Sequence, residues 1–186
     1  GHEHAAGSCD PHVWTDPFNV MLWTLMIRDT LSQLDPAHAA TYAANAAAYL
    51  DELTALVAQV ERLIESIPAE NRKLVTNHQA FGYYADRFGL ELAGTVIPGG
   101  STLAAPSAAE VAALIDAVRA AGVPAIFAET TANPTLAEQI AREAGVAVYT
   151  LYTGSLTDAD GPAPTYLDYL RADTRIIVQA LGGTAE

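Results

Sequence analysis

From residue 73 onward, short apolar runs alternate with helical stretches, and this alternation constrains the fold more than anything else in the chain. The runs 74–76, 92–97, 125–128 and 146–152 have the length of strands, and their apolar residues lie side by side. Between them, helices are predicted at 79–88, at 107–121 and up to about residue 144, with a closing helix at about 165–181. Gly89 suits the left-handed end of the first of these helices. Strands joined through helices need crossover connections, which give a mostly parallel sheet with helices on both faces. The predicted fold class is therefore α/β.

The first third of the chain has a different pattern. Asp16-Pro17 and Asp35-Pro36 each place a capping residue before a proline, the signature of a helix start. The first helix should run to about Leu34; it is apolar on most faces and so is expected to be well packed. From residue 36 to 67 there is no internal Gly or Pro. Tyr42, Tyr49, Leu53, Leu56, Val60, Leu63 and Ile67 recur there in a helical stripe. One long helix of about 45–50 Å is predicted at 1.5 Å per residue. A coiled coil would carry a similar stripe, but the Ala-rich first half and the lack of a sustained charged flank favour packing within the same protein. The expected organisation is a loop and helix over 1–35, a connecting helix over 36–67 and an α/β lobe over 68–186.

Composition removes several function classes. Of the 186 residues, 51% are hydrophobic, ample for a folded core. The net charge of −13, from 22 acidic and 9 basic residues, leaves no basic footprint for nucleic acid or an anionic membrane surface. The single Cys9 excludes an internal disulfide; so close to His12, it is either a small loop residue or a thiolate for a metal. The apolar run 18–27 is too short to span a bilayer. The opening Gly1-His-Glu-His4 has no signal-peptide pattern and reads as the later part of a longer protein. Its histidines form a loose metal-binding tract, a purification remnant or a plain flexible loop.

No nucleophile elbow, phosphate-binding loop, dinucleotide fingerprint or H-E-x-x-H helix is present. What remains is a set of polar residues at the carboxyl ends of the predicted strands: His78, Glu129, Asp158 and Asp160. That edge of an open α/β sheet is where ligands bind. His78 sits at the elbow between a strand and a helix, with Asn77 as the expected cap. His12, on a loop before a helix, reaches the same edge if the long helix folds the first segment back. Two imidazoles with one or two carboxylates suit zinc and, with more oxygen ligands, manganese or iron. Each residue also has a plainer reading. A lone His78 can be a hydrogen-bonded structural residue, Glu129 a cap, and Asp158 and Asp160 solvent-facing acids of a loop.

Four segments resemble one family in order and spacing. They are Asp10-Pro-His-Val-Trp14, Thr76-Asn-His-Gln-Ala-Phe-Gly-Tyr83, Phe127-Ala-Glu129 and Gly161-Pro-Ala-Pro-Thr-Tyr-Leu-Asp-Tyr-Leu170. The family is the cluster A-I solute-binding proteins of zinc and manganese ABC transporters. The resemblance implies two α/β lobes joined by the 36–67 helix, with the first lobe absent from this chain. It implies metal ligands at His12 and His78, and an ion held between lobes and delivered to an ABC permease. It also implies an extracytoplasmic location, in the periplasm or on the outer face of the cytoplasmic membrane, and a monomer without enzymatic activity; a lipid anchor in the part that precedes this chain stays open. Members often carry an Asp in the loop after the last strand, where this chain has Thr153-Gly154-Ser155. Glu129, Asp158 or water would then complete the shell. Glu129 is favoured, because it leaves a strand end directly whereas Asp158 must reach back along a loop. A His-rich opening and a histidine at position 78 lean the metal towards zinc, with manganese as the other candidate. Two further readings stay open: a zinc-dependent hydrolase or chelatase, and a surface adhesin with an incidental metal.

Overall fold

A computed structural model describes residues 9–97 and 107–185. The histidine tract at 2–4 and the Pro98-Gly99-Gly100 connection lie outside the described residues. The chain begins with helix α1 (Pro17–Leu34), then α2 (Ala39–Glu65), and continues as β1 (Lys73–Thr76), α3 (Gly82–Phe88), β2 (Glu91–Thr95), α4 (Ala108–Ala121), β3 (Ala125–Glu129), α5 (Thr135–Ala144), β4 (Ala147–Leu151) and α6 (Tyr166–Ala180). The fold is α/β, as its alternating pattern implies.

The four strands are all parallel, in the order β2-β1-β3-β4. From β1 the chain moves outward to β2 on one side, while from β3 it moves outward to β4 on the other. The sheet therefore changes direction between β1 and β3, and their carboxyl ends open a crevice at that switch point. Successive strand residues face opposite sides. On β3, Ala125 and Phe127 join a core with Leu53, Leu56, Tyr84 and Leu170, while Ile126 and Ala128 join one with Ile115, Val118 and Ile140. Helices α2, α3 and α6 cover the first face, and α4 and α5 the second.

The long helix forms as its stripe predicts: Leu53, Leu56, Val60 and Leu63 are buried, joined by Val57 and Ile64. It is shorter than expected, because residues 36–38 make a separate one-turn 3-10 helix before it. At 27 residues it spans about 40 Å. Asp16 caps α1 as its start signal requires, its carboxylate accepting from Phe18 N. Two local expectations fail. Asn77 does not cap α3: the helix begins at Gly82, and the Asn77 backbone N–H instead extends the β1–β3 ladder by donating to Phe127 O at 2.9 Å. Helix α1 is not well packed either. Only Pro17 and Val20 are buried, while Leu22, Met26, Ile27 and Leu34 are more than half exposed. Among the described elements α2 is its main neighbour, so one side of an apolar cylinder is covered and the rest faces outward.

Candidate metal centre

His78 comes one residue after the end of the β1–β3 ladder, in a turn tied at every polar atom of its backbone. Its carbonyl accepts from the Thr76 hydroxyl at 2.8 Å and from Ala80 N at 2.9 Å, and its N–H donates to Glu129 Oε1 at 3.0 Å. Glu129 is the last residue of β3, so neighbouring strand ends deliver the pair to the crevice. The ring nitrogen Nδ1 of His78 lies 2.5 Å from Glu129 Oε2. Oε2 also accepts from the Thr153 hydroxyl at 3.2 Å, and Thr153 shares a 2.7 Å hydrogen bond with Thr131. Both residues of the His78–Glu129 pair are buried.

His12 arrives from the other direction. Asp10 closes a tight turn, accepting from His12 N at 2.9 Å while the same Oδ1 lies 2.7 Å from His12 Nδ1. The segment is then anchored to the lobe. Asp16, besides capping α1, forms a two-pronged ion pair with Arg87 of α3, at 3.0 and 3.1 Å from Nε and 3.0 Å from Nη2. The Arg87 guanidinium also lies 4.0 Å over the Phe18 ring. The Tyr166 hydroxyl of α6 donates to Trp14 O at 2.9 Å. Held in this way, His12 Nε2 stands 3.2 Å from His78 Nε2. A tetrahedral zinc ion with Zn–N bonds of about 2.0–2.1 Å needs its ligand nitrogens roughly 3.3 Å apart, so the two rings already stand at a spacing one ion would impose.

Of the predicted site residues, the structure brings His12, His78 and Glu129 together. Glu129 stands behind His78, with both oxygens directed at His78 and Thr153. Asp158 and Asp160 are exposed on the β4–α6 loop, where the Asp158 carbonyl accepts from Gly161 N at 2.9 Å. His38 is exposed and pairs with Asp35 at 2.7 Å. Cys9 is exposed. Gly154 has a left-handed φ of 66° beside Thr131, and a Cβ there would meet Thr131 Cγ2 at 3.6 Å, an ordinary contact. Among the described residues, no group of three or more His, Cys, Asp or Glu converges on one point. A cavity of about 270 Å³, walled by Trp14, Leu156, Tyr166 and Tyr169, opens beside the segment. Sequence reasoning missed Asp10, Thr153 and the Asp16–Arg87 clamp. Only Asp10 left a signal, since an aspartate two residues before a histidine can accept its backbone N–H.

The zinc-uptake complex component A periplasmic family matches residues 1–180. The chain belongs to that family. Curated members resemble it along most of its length. The iron-binding protein YfeA of Yersinia pestis is 35% identical over 95% of this chain and 57% of its own. The high-affinity zinc uptake system protein ZnuA of Paracoccus denitrificans is 32% identical over 93% of this chain and 52% of its own. The Cd-bound periplasmic metal binding protein of Candidatus Liberibacter asiaticus superposes with a TM-score of 0.84 at 32% identity, covering 97% of this chain and 67% of that one. The chain thus spans between half and two thirds of these relatives' length. No described helix is long and apolar enough to cross a membrane.

Proposed function

We propose that this chain supplies one half of the ion-binding cleft of an extracytoplasmic receptor that captures zinc, and secondarily manganese, for delivery to an ABC-type permease. His12 and His78 are the ligands in this reading. One observation carries it. Two imidazole Nε2 atoms stand 3.2 Å apart while the Nδ1 of each ring faces a carboxylate. Metal-ligating histidines commonly place their second nitrogen against a carboxylate in this way, which fixes the tautomer and raises ligand basicity. Two nitrogen donors favour zinc over the oxygen-seeking manganese. The names of the relatives, zinc-uptake and iron-binding proteins, support a transition-metal cargo.

A competition titration with a zinc chelator tests the reading on the full chain. His78→Ala and His12→Ala should each weaken zinc binding at least tenfold, since water fills an open coordination position poorly. His38→Ala should leave it unchanged. Wild-type affinity in His78→Ala would sink the proposal.

A further inference from the structure

Both histidines are held by the same device. In each case one carboxylate takes the backbone N–H of the histidine and also faces its ring Nδ1: Asp10 for His12, Glu129 for His78. The carboxylates differ in how they do it. Asp10 uses a single oxygen, Oδ1, for both contacts. Glu129 uses both oxygens, Oε1 for the backbone and Oε2 for the ring, with the Thr153 hydroxyl also on Oε2. The Nδ1···Oε2 contact at 2.5 Å is too close for two bare acceptors, which assigns the ring proton to Nδ1 although that N–H is not aligned on Oε2. With Nδ1 of each ring turned to a carboxylate, the two Nε2 atoms face each other at 3.2 Å, where in the metal-free chain they share a proton that a bound metal ion would displace.

We propose that Asp10 and Glu129 are positioning residues that preset both histidines as metal-ready tautomers, and that Glu129 acts through His78 rather than as a ligand. This rests on His12 and His78 being the ligands. The oxygen count makes the proposal specific. An amide has one acceptor, so at position 10 it can still serve both contacts. At position 129 it must fail one of them: a Gln that accepts from the His78 backbone turns its NH₂ towards Nδ1 and demands the opposite tautomer.

The experiment reads the histidine ring N–H signals of the full, metal-free chain by nitrogen-15 NMR at about pH 8, together with zinc affinity by chelator competition. In the wild type both rings should show Nδ1–H. Asp10→Asn should keep both signals and lose about fivefold or less in affinity. Asp10→Ala should lose the His12 signal. Glu129→Gln should lose the His78 Nδ1–H signal and weaken zinc binding by about 10–100-fold. If affinity falls while that signal persists, Glu129 ligates the ion itself and the proposal is overturned. It is overturned equally if the signal is lost with affinity unchanged. Should Glu129→Gln fail to fold, the Asp10 pair decides: a His12 signal and affinity unaltered in Asp10→Ala refute positioning. His78→Ala with wild-type affinity would refute the ligand reading instead, a separate outcome.

Discussion

At the scale of single residues, the clearest departure from ordinary chemistry is Asp173 on α6. Its side chain is buried behind the strand ends, where Oδ1 accepts from Tyr152 N at 2.9 Å and Oδ2 has no hydrogen-bond partner among the described residues. Burial pushes its carboxyl up to about 8; the Tyr152 bond opposes that rise and the nearby Glu129 adds to it. The sign of the linkage follows. Below about pH 4 the carboxyl is protonated in both states and costs nothing extra. Between about 4 and 8 the folded chain keeps a proton that the unfolded chain has released, so stability falls as pH rises. Asn at this position keeps an acceptor for Tyr152 N and carries no charge. Asp173→Asn should therefore raise the melting temperature of the metal-free chain by a few degrees near pH 8 and by almost nothing near pH 4. A gain of equal size at both values would mean that the carboxyl titrates normally.

Among the secondary elements, α1 and α2 separate what patterning can and cannot settle. Leu56 of α2 is wholly buried in the core that α2, α3 and α6 share with the sheet, so Leu56→Ala should cost about 2–5 kcal/mol through lost contact and the cavity left behind. Met26 of α1 is 66% exposed, and Met26→Gln should change stability by no more than about 0.5 kcal/mol. Urea midpoints would measure both. A Met26→Gln cost near that of Leu56→Ala would show that α1 buries this face in solution. The periodicity of α2 was legible because one partner surface selects one stripe. Helix α1 was misread because apolar residues on every side announce burial without saying what supplies it. The strands were legible to within a few residues, since Pro68, Gly89, Gly122 and Gly145 break the chain between periodic runs. Asn77 was not, because a strand end and a helix cap call for the same residue types, and here the ladder claimed its backbone. His78 and Glu129 could be placed from their position at strand ends. The partnership that links them is non-local and depends on β1 and β3 being neighbours, which the order of elements does not state.

For the molecule as a whole, the polar ties of the segment carrying His12 to the lobe are the Asp16–Arg87 ion pair, the Tyr166–Trp14 hydrogen bond and the contact between the two histidines, beside the packing of Trp14 and Val20 on the core. The Arg87 side chain is 36% exposed, so its ion pair is worth little on its own. A metal ion bound by both imidazoles would cross-link residues 66 positions apart in the chain and join that segment to the sheet at its switch point. Binding to the folded state alone stabilises by RT ln(1 + [L]/Kd), about 2.7 kcal/mol when free zinc is 100 times Kd. For a chain of this size, that corresponds to a rise in melting temperature of roughly 5–10 °C. The gain should concentrate where the cross-link acts. Amide exchange at Thr15 and Asp16, whose backbone N–H groups close the turn after His12, should slow on adding zinc, while exchange in β3, already buried in the core, should change little. In His78→Ala the segment would keep its ion pair and lose its cross-link, so zinc should neither raise the melting temperature by that amount nor protect those amides. If His78→Ala showed the same thermal shift and the same protection as the wild type, the ion would be held elsewhere and the two histidine loops would not be joined by metal.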